Sequence, residues 1–172
     1  GKHTSCTYTT SEYGSGKDAS VIWEESQGIG HSYGYNRNEQ LNDYKTGSQL
    51  ILMLIDIVSR GGNLLLDIGP TADGRIPVIM QQRLLAMGDW LKVTGEAIYG
   101  TEAYTHSYQW SEGALPAKND KSFMAGYDIR KMLEPRAGKA HIEAFFTTKG
   151  KDLYCIFPAF SPQLRIRNFT SN

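Results

Sequence analysis

Acidic and aromatic side chains cluster in the first forty residues of the chain. A run of threonine, serine and tyrosine leads to Glu12, a short apolar run ends in Trp23 and Glu24, and a segment punctuated by glycines carries His31 and Tyr33. Flat rings stack on the apolar C–H faces of a sugar, and carboxyl groups bind sugar hydroxyls or protonate a leaving oxygen. The pattern indicates a carbohydrate site, although a surface loop could carry the same residues without any such role.

A short apolar run predicts the element that would position such a site. Leu64, Leu65 and Leu66 stand between a double glycine and a Gly-Pro pair, which is typical of a strand buried on both faces in a parallel sheet. Binding and catalytic groups collect at the carboxyl ends of such strands. We therefore expect chemistry between Asp67 and Asp73.

Helical patterns lie on both sides of this strand. The first predicts a helix from an N-cap at Ser48 to Arg60, with Gly61 as its stop, and the second predicts a helix with Pro77 in its first turn that ends at Gly95. The apolar stripe predicted for the second helix consists of Leu84, Leu85, Met87, Gly88 and Leu91. Helix, strand and helix in this order predict an α/β fold, either a barrel or a doubly wound sheet.

A different pattern begins near residue 104. Two alternating runs, 141–148 and 153–157, predict a β-hairpin, and residues 164–169 alternate as a third strand would. Three strands make a poor independent sheet, so we expect the beginning of a larger antiparallel domain. The predicted domains are 1–104 and 105–172.

Composition excludes several classes of protein. The 172 residues are 40% hydrophobic with a formal net charge of zero, which predicts a folded core and no binding to nucleic acid or to an anionic membrane. No run is long enough to span a membrane. The chain starts at Gly1 without a methionine, and we expect it to be a piece cut at its front.

Neither the cysteines nor the acidic residues have metal-ligand spacing. Cys6 and Cys155 are far apart, which favours two free thiols but leaves one disulfide open. Asp67 and Asp73 lack the ligand ladder of a calcium loop, and Asp73 with Gly74 is better explained as a turn. We expect no metal and no cofactor.

Five segments, taken together, resemble the α-L-fucosidases of glycoside hydrolase family 29. They occur in the order and at the intervals typical of that family: Trp23–Glu24, Gly28–Asn38, Asp56–Leu66, Gly69–Gly74 and Gly95–Thr101. The resemblance implies a (β/α)8-like TIM barrel followed by an antiparallel β-sandwich. It makes residues 1–104 the C-terminal portion of the barrel and residues 105–172 the start of the sandwich.

The resemblance also implies roles for individual residues. Glu12, within a Thr-Ser-Glu-Tyr segment, matches the acid/base glutamate of one branch of the family, whereas the aspartate nucleophile is expected in an upstream barrel segment that this chain lacks. Glu24 is the second candidate for the acid/base and is otherwise expected to bind the substrate or to be structural. Tyr33 matches the ring that packs on the fucose methyl group, and His31 either binds a sugar hydroxyl or is structural. Trp23 is a pocket wall or a core residue.

The implied activity is that of a retaining exo-α-L-fucosidase acting on a fucosylated oligosaccharide or glycoconjugate. The implied location is secreted, periplasmic or lysosomal. Two alternatives stay open, a non-catalytic glycan-binding or inactive relative and a relative with α-L-galactosidase-type specificity. The oligomeric state is open as well.

Glu25 has no counterpart in the family pattern and is expected to be a solvated surface charge.

Overall fold

A three-stranded parallel sheet and a three-stranded antiparallel sheet flank a pair of helices. The computed structural model describes residues 22–115, 133, 137–160 and 162–167, together with the backbone of 9–12. The main elements in chain order are β1 (Thr9–Glu12), β2 (Trp23–Gly28), α1 (Gly47–Ser59), β3 (Gly62–Asp67), α2 (Val78–Thr94), β4 (Glu102–Trp110), β5 (Ile142–Lys149) and β6 (Asp152–Ile156). Short 3-10 turns at Leu41–Asp43 and Gly95–Ala97 complete them. No described helix is both long and apolar enough to cross a bilayer.

The first sheet has the order β1-β2-β3, and both pairings are parallel. Leu64 and Leu66 pack against the core formed with α1 and α2, whereas Leu65 is 50% exposed. Within the described residues, β3 is therefore buried on one face and not on both as predicted. Among the described residues, the helices cover only one face of β3.

Helix α1 begins two residues earlier than predicted. Its N-cap is Thr46 rather than Ser48, because the Thr46 hydroxyl accepts the Gln49 N–H at 3.2 Å while Gln49 Oε1 accepts the Thr46 N–H at 2.7 Å. This reciprocal capping box satisfies two backbone donors at once. Gly61, at φ 77°, ends the helix as predicted.

Helix α2 follows Pro77, which is its N-cap and not a residue of its first turn. Met80, Leu84 and Met87 face the core of the parallel sheet, at the four- and three-residue spacing of a helix face, and Leu91 packs on the core of the antiparallel sheet. Leu85 is 66% exposed, and its place in the predicted stripe is wrong because it lies about 100° around the helix from Leu84.

The second sheet has the order β4-β5-β6, with antiparallel pairings. The β5–β6 hairpin is confirmed, and Gly150 in its turn has a φ of 61°. The predicted third strand is wrong over 164–167, which form no ladder; Asn168 and Phe169 lie outside the described residues. The third strand is instead β4, which begins at Glu102. The division into domains 1–104 and 105–172 stays a prediction.

A side-chain amide holds the segment that fails to form a strand. Gln109 Nε2 donates to the Arg165 carbonyl at 2.8 Å, and Gln109 Oε1 accepts the Arg167 N–H at 2.8 Å. The amide thus takes the place of a paired peptide group on a neighbouring strand. The alternating residues were consistent with this extended course but could not distinguish it from a strand.

A buried ionic network joins the two sheets through α1. Asp56 is fully buried, accepts from Arg60 at 2.6 Å and accepts a short hydrogen bond from the Tyr108 hydroxyl of β4. Burial, followed by the Asp56 charge, raises the pKa of Tyr108 far above its ordinary value. The Arg60 guanidinium also lies 5.1 Å from the centre of the Trp23 ring, so a single helix turn connects β2 to β4.

Candidate functional site

The carboxyl ends of β1, β2 and β3 lie side by side and define the candidate site. Glu12 is the last residue of β1 and pairs in register with Ser26 of β2, which pairs with Leu65 of β3. Adjacent strands are about 4.8 Å apart. The backbone of Glu12 is therefore one strand away from the strand whose following loop carries His31 and Tyr33.

Glu24 lies deeper along the sheet than Glu12. Its register partners are Thr10 and Asn63, so its row precedes the Glu12 row by two residues, roughly 6.6 Å. Glu24 is half-buried on the face of β2 opposite to Trp23. Glu24 therefore lies below the carboxyl ends of the strands and not at them.

Asp67 ends β3 and begins the segment in which the sequence predicted chemistry, although no individual role was predicted for it. Its row partner is Gly28, and it is only partly buried. Among the described residues, no hydrogen bond or ion pair engages its carboxylate, and its backbone carbonyl accepts the Ile29 N–H at 3.4 Å. The signal in the sequence was an acidic residue that ends an apolar strand just before a Gly-Pro turn.

The loop after β2 is fixed at both of its sides. The Lys45 ammonium donates to the Gly28 carbonyl at 2.6 Å, and the Lys45 N–H donates to the Ile29 carbonyl at 2.9 Å. Burial lowers the pKa of Lys45, and the Glu39 charge opposes that effect. On the other side, a Cβ added at Gly69 would lie 2.3 Å from the Tyr35 nitrogen, so the loops after β2 and β3 touch backbone to backbone.

Tyr33 folds back over the end of β2. Its hydroxyl donates to the Ser26 carbonyl at 3.0 Å, and the residue is partly buried. His31, two residues earlier, is exposed. The structure therefore brings Tyr33 and His31 to the same end of the sheet as Glu12.

Trp23 lies away from this end, in the core. It is fully buried at the start of β2, and a Cβ at Gly62 would lie 2.3 Å from its ring. Of the two roles expected for Trp23, this location matches the core residue. Its Nε1 is buried without a hydrogen-bond partner among the described residues.

Glu25 is buried, and its prediction as a solvated surface charge is wrong. It is 0% exposed and accepts a hydrogen bond from Gln27 Nε2 at 2.8 Å. The prediction was wrong because Glu25 alternates with Trp23 and Gln27 on the face of β2 that the helices cover.

Neither a metal-binding cluster nor a thiol is found at these strand ends among the described residues. Within the part of the chain that the structure describes, no three histidine, cysteine or acidic side chains come together as a metal site would require. Cys155 is a free thiol in β6, and burial raises its pKa. Cys6 lies outside the described residues.

Comparison with known proteins gives one consistent family. The family model described as Alpha-L-fucosidase matches residues 1–96. The plasma alpha-L-fucosidase of Rattus norvegicus is 48% identical over 99 residues, which are 56% of this chain and 22% of the relative. The tissue alpha-L-fucosidase of Homo sapiens is 39% identical over 127 residues, which are 73% of this chain and 27% of the relative.

Solved structures agree with the sequence relatives. The crystal structure of Thermotoga maritima alpha-fucosidase in complex with fucose superposes with a TM-score of 0.60 at 35% identity, covering 80% of this chain and 26% of that one. The chain thus spans only about a quarter of the length of the relatives that it matches.

Proposed function

The chain belongs to the α-L-fucosidase family, glycoside hydrolase family 29, and from that premise we propose that it forms part of a retaining exo-α-L-fucosidase. The proposed reaction is hydrolysis of terminal α-L-fucosyl linkages of glycans. One observation of this structure carries the proposal: the backbone of Glu12 ends a parallel strand next to β2, whose loop holds His31 and Tyr33.

The proposed mechanism needs two carboxyl groups about 5 Å apart. An aspartate outside these 172 residues attacks the anomeric carbon, while Glu12 protonates the leaving glycosidic oxygen. The Glu12 carboxylate then takes a proton from the water that releases fucose from the covalent intermediate. The two proton transfers restore Glu12 to its starting state.

The remaining side chains bind and orient the sugar in this proposal. The Tyr33 ring packs on the fucose methyl group, since its hydroxyl is already bonded to Ser26. His31 and Asp67 bind sugar hydroxyls. Glu24 either binds a sugar hydroxyl as well or supports the side chains that bind one. Burying a methyl group is worth about 0.8 kcal/mol, so the hydroxyl contacts must supply most of the affinity.

The proposal extends to the architecture and the location of the protein. The parallel sheet with α1 and α2 belongs to the C-terminal portion of a (β/α)8-like barrel, and the second sheet begins a β-sandwich. The substrates are fucosylated oligosaccharides or glycoconjugates. A secreted, periplasmic or lysosomal location is supported by relatives named plasma and tissue alpha-L-fucosidases.

A chromogenic assay tests the proposed activity. The complete protein is expected to release nitrophenol from 4-nitrophenyl α-L-fucoside, and the first product seen by NMR should be α-L-fucose, which later mutarotates. Parallel reactions with the α-L-galactoside measure specificity at the methyl group. Binding of fucose without release of nitrophenol would support a non-catalytic glycan-binding relative. A faster reaction with the α-L-galactoside would support a relative with α-L-galactosidase-type specificity.

A further inference from the structure

Glu39 holds the turn that carries the two proposed sugar contacts. Its Oε1 accepts the N–H of Ser32 at 2.7 Å, and Ser32 stands between His31 and Tyr33. The carboxylate also packs on the backbone at Gly30, where a Cβ would lie 2.6 Å from Oε2. We propose that Glu39 is a positioning residue, which sets the backbone of the turn so that His31 and Tyr33 meet the substrate. This inference rests on the proposed function.

The Glu39 carboxylate influences the pKa values of two neighbouring side chains. Burial, followed by the charge of Glu39, raises the pKa of Tyr44, so the phenol stays protonated beside the carboxylate. The charge of Glu39 also favours the protonated form of Lys45, whose ammonium holds Gly28. A hydrogen bond to an ionised acceptor is roughly twice as strong as a neutral one.

Three hydrogen bonds therefore fix three different points of the loop after β2. Lys45 fixes its start at Gly28, the Tyr33 hydroxyl fixes its far side at Ser26, and Glu39 fixes the peptide between the two sugar contacts. Loss of the central hydrogen bond leaves both side chains present but free to move relative to each other. Binding groups must be held within about 0.5 Å of their productive geometry to act together.

Substitutions of Glu39 in the complete protein test this role. Glu39→Ala is expected to raise KM for 4-nitrophenyl α-L-fucoside about tenfold while kcat falls less than about threefold, because the loss is mainly in binding. Glu39→Gln keeps an oxygen acceptor for Ser32 and should return KM to within about threefold of wild type. The matched control is Asp43→Ala, which removes a carboxylate that caps the Gln40 N–H at 2.6 Å in the same segment and should leave KM unchanged.

A second variant reaches the same contact from the other side. In Gly30→Ala, the new methyl group displaces the Glu39 carboxylate, so KM should rise as it does in Glu39→Ala. The double variant should resemble Glu39→Ala alone, because the methyl group then fills the vacated space. Independent, multiplying effects of the two substitutions would overturn the inference.

Hydrogen exchange provides a readout that does not depend on activity. The Ser32 amide should lose protection in Glu39→Ala, while the Ile29 amide, bonded to Asp67, should keep it. An active wild type with unchanged KM in Glu39→Ala, or unchanged protection of Ser32, would overturn the inference alone. An inactive wild type would instead overturn the proposed function, and with it the role in binding sugar.

Discussion

Glu12 occupies the last position of β1, in the row of Ser26 and Leu65, and the proposed chemistry depends on the proton that it carries. Glu12→Gln and Glu12→Ala should lower kcat/KM by about a hundredfold or more on substrates with poor leaving groups, where general acid catalysis contributes most. On an activated aryl fucoside the loss should be much smaller, because a weakly basic phenolate leaves without protonation. The measurement is kcat/KM against the pKa of the leaving phenol.

The same series separates Glu12 from its alternative. Glu24 lies two residues further from the strand ends. Glu24→Gln should therefore lower kcat/KM to a similar degree for substrates with poor leaving groups and for activated ones. The acid/base role would belong to Glu24 if the Glu12 variants lost kcat/KM equally on both classes of substrate while kcat/KM of Glu24→Gln depended steeply on the pKa of the leaving phenol.

At the scale of elements, the contact between the loops after β2 and β3 decides the shape of the site. A Cβ at Gly69 would meet backbone atoms of Gly34 and Tyr35 at 2.3 to 2.9 Å, and backbone cannot rotate aside as a side chain can. Gly69→Ala should therefore push the loops apart, raising KM about tenfold and destabilising the protein by about 1–3 kcal/mol, as overpacking does.

Gly34→Ala is the matched control for this prediction. Gly34 lies in the same contact, yet a Cβ there would meet nothing within 4 Å. Its KM and melting temperature should stay close to those of the wild type. A Gly69→Ala protein with the kinetics of Gly34→Ala would show that the two loops are not packed as the structure has them.

The limits of prediction from sequence are clearest at this scale. Breakers and periodicity located α1, α2, β3 and the β5–β6 hairpin, because those signals are local. They misplaced Leu65 and Leu85, since burial depends on which neighbour covers a face. They also missed β4, whose irregular register with β5 includes shifts between Ala103 and Tyr108, so its side chains do not follow a simple alternation.

The candidate site divides in the same way. Glu12, His31 and Tyr33 are predicted by resemblance to a family, and the structure places the backbone of Glu12 at the same end of the sheet as His31 and Tyr33. Glu39 could not be identified, because its role arises from a fold of the chain that returns it to Ser32. Glu25 could have been predicted as buried, since it alternates with Trp23 in a strand whose partner is apolar.

At the scale of the whole molecule, α1 belongs to both cores. Leu50, Met53 and Ile57 pack with the parallel sheet, whereas Ile55 packs with Phe145 of the antiparallel sheet. Asp56 lies between these faces and contacts Arg60 and Tyr108. The two sheets should therefore unfold together rather than as separate units.

Asp56→Ala tests that coupling. Removing one partner of a buried ion pair typically costs about 3–5 kcal/mol, and the loss should split the thermal transition of the complete protein into two. The control is Asp89→Ala, which breaks the exposed Lys92–Asp89 pair on α2 and should change stability by less than about 1 kcal/mol. A single transition with equal losses in both variants would contradict the role given to Asp56.

The exposed apolar surface of these 172 residues leads to the last prediction. Large side chains face solvent on β3, on α2 and in the segments before β2 and after β6: Leu65, Val78, Leu85, Val93, Ile22 and Phe160. In the order β1-β2-β3, each outer strand also has one edge unpaired within the described residues. Exposed apolar patches and open strand edges favour association over a unique monomeric state.

Expressed alone, the chain should therefore bind a hydrophobic dye at low temperature and melt over a broad range without a cooperative transition. The complete protein, measured in the same buffer, should bind little dye and unfold sharply, because further segments would cover the Leu65 face and pair the open edges. Calorimetry of both proteins, with light scattering to detect association, makes the comparison. A sharp two-state melt of the isolated chain without dye binding would mean that the two helices and two sheets suffice for a stable fold.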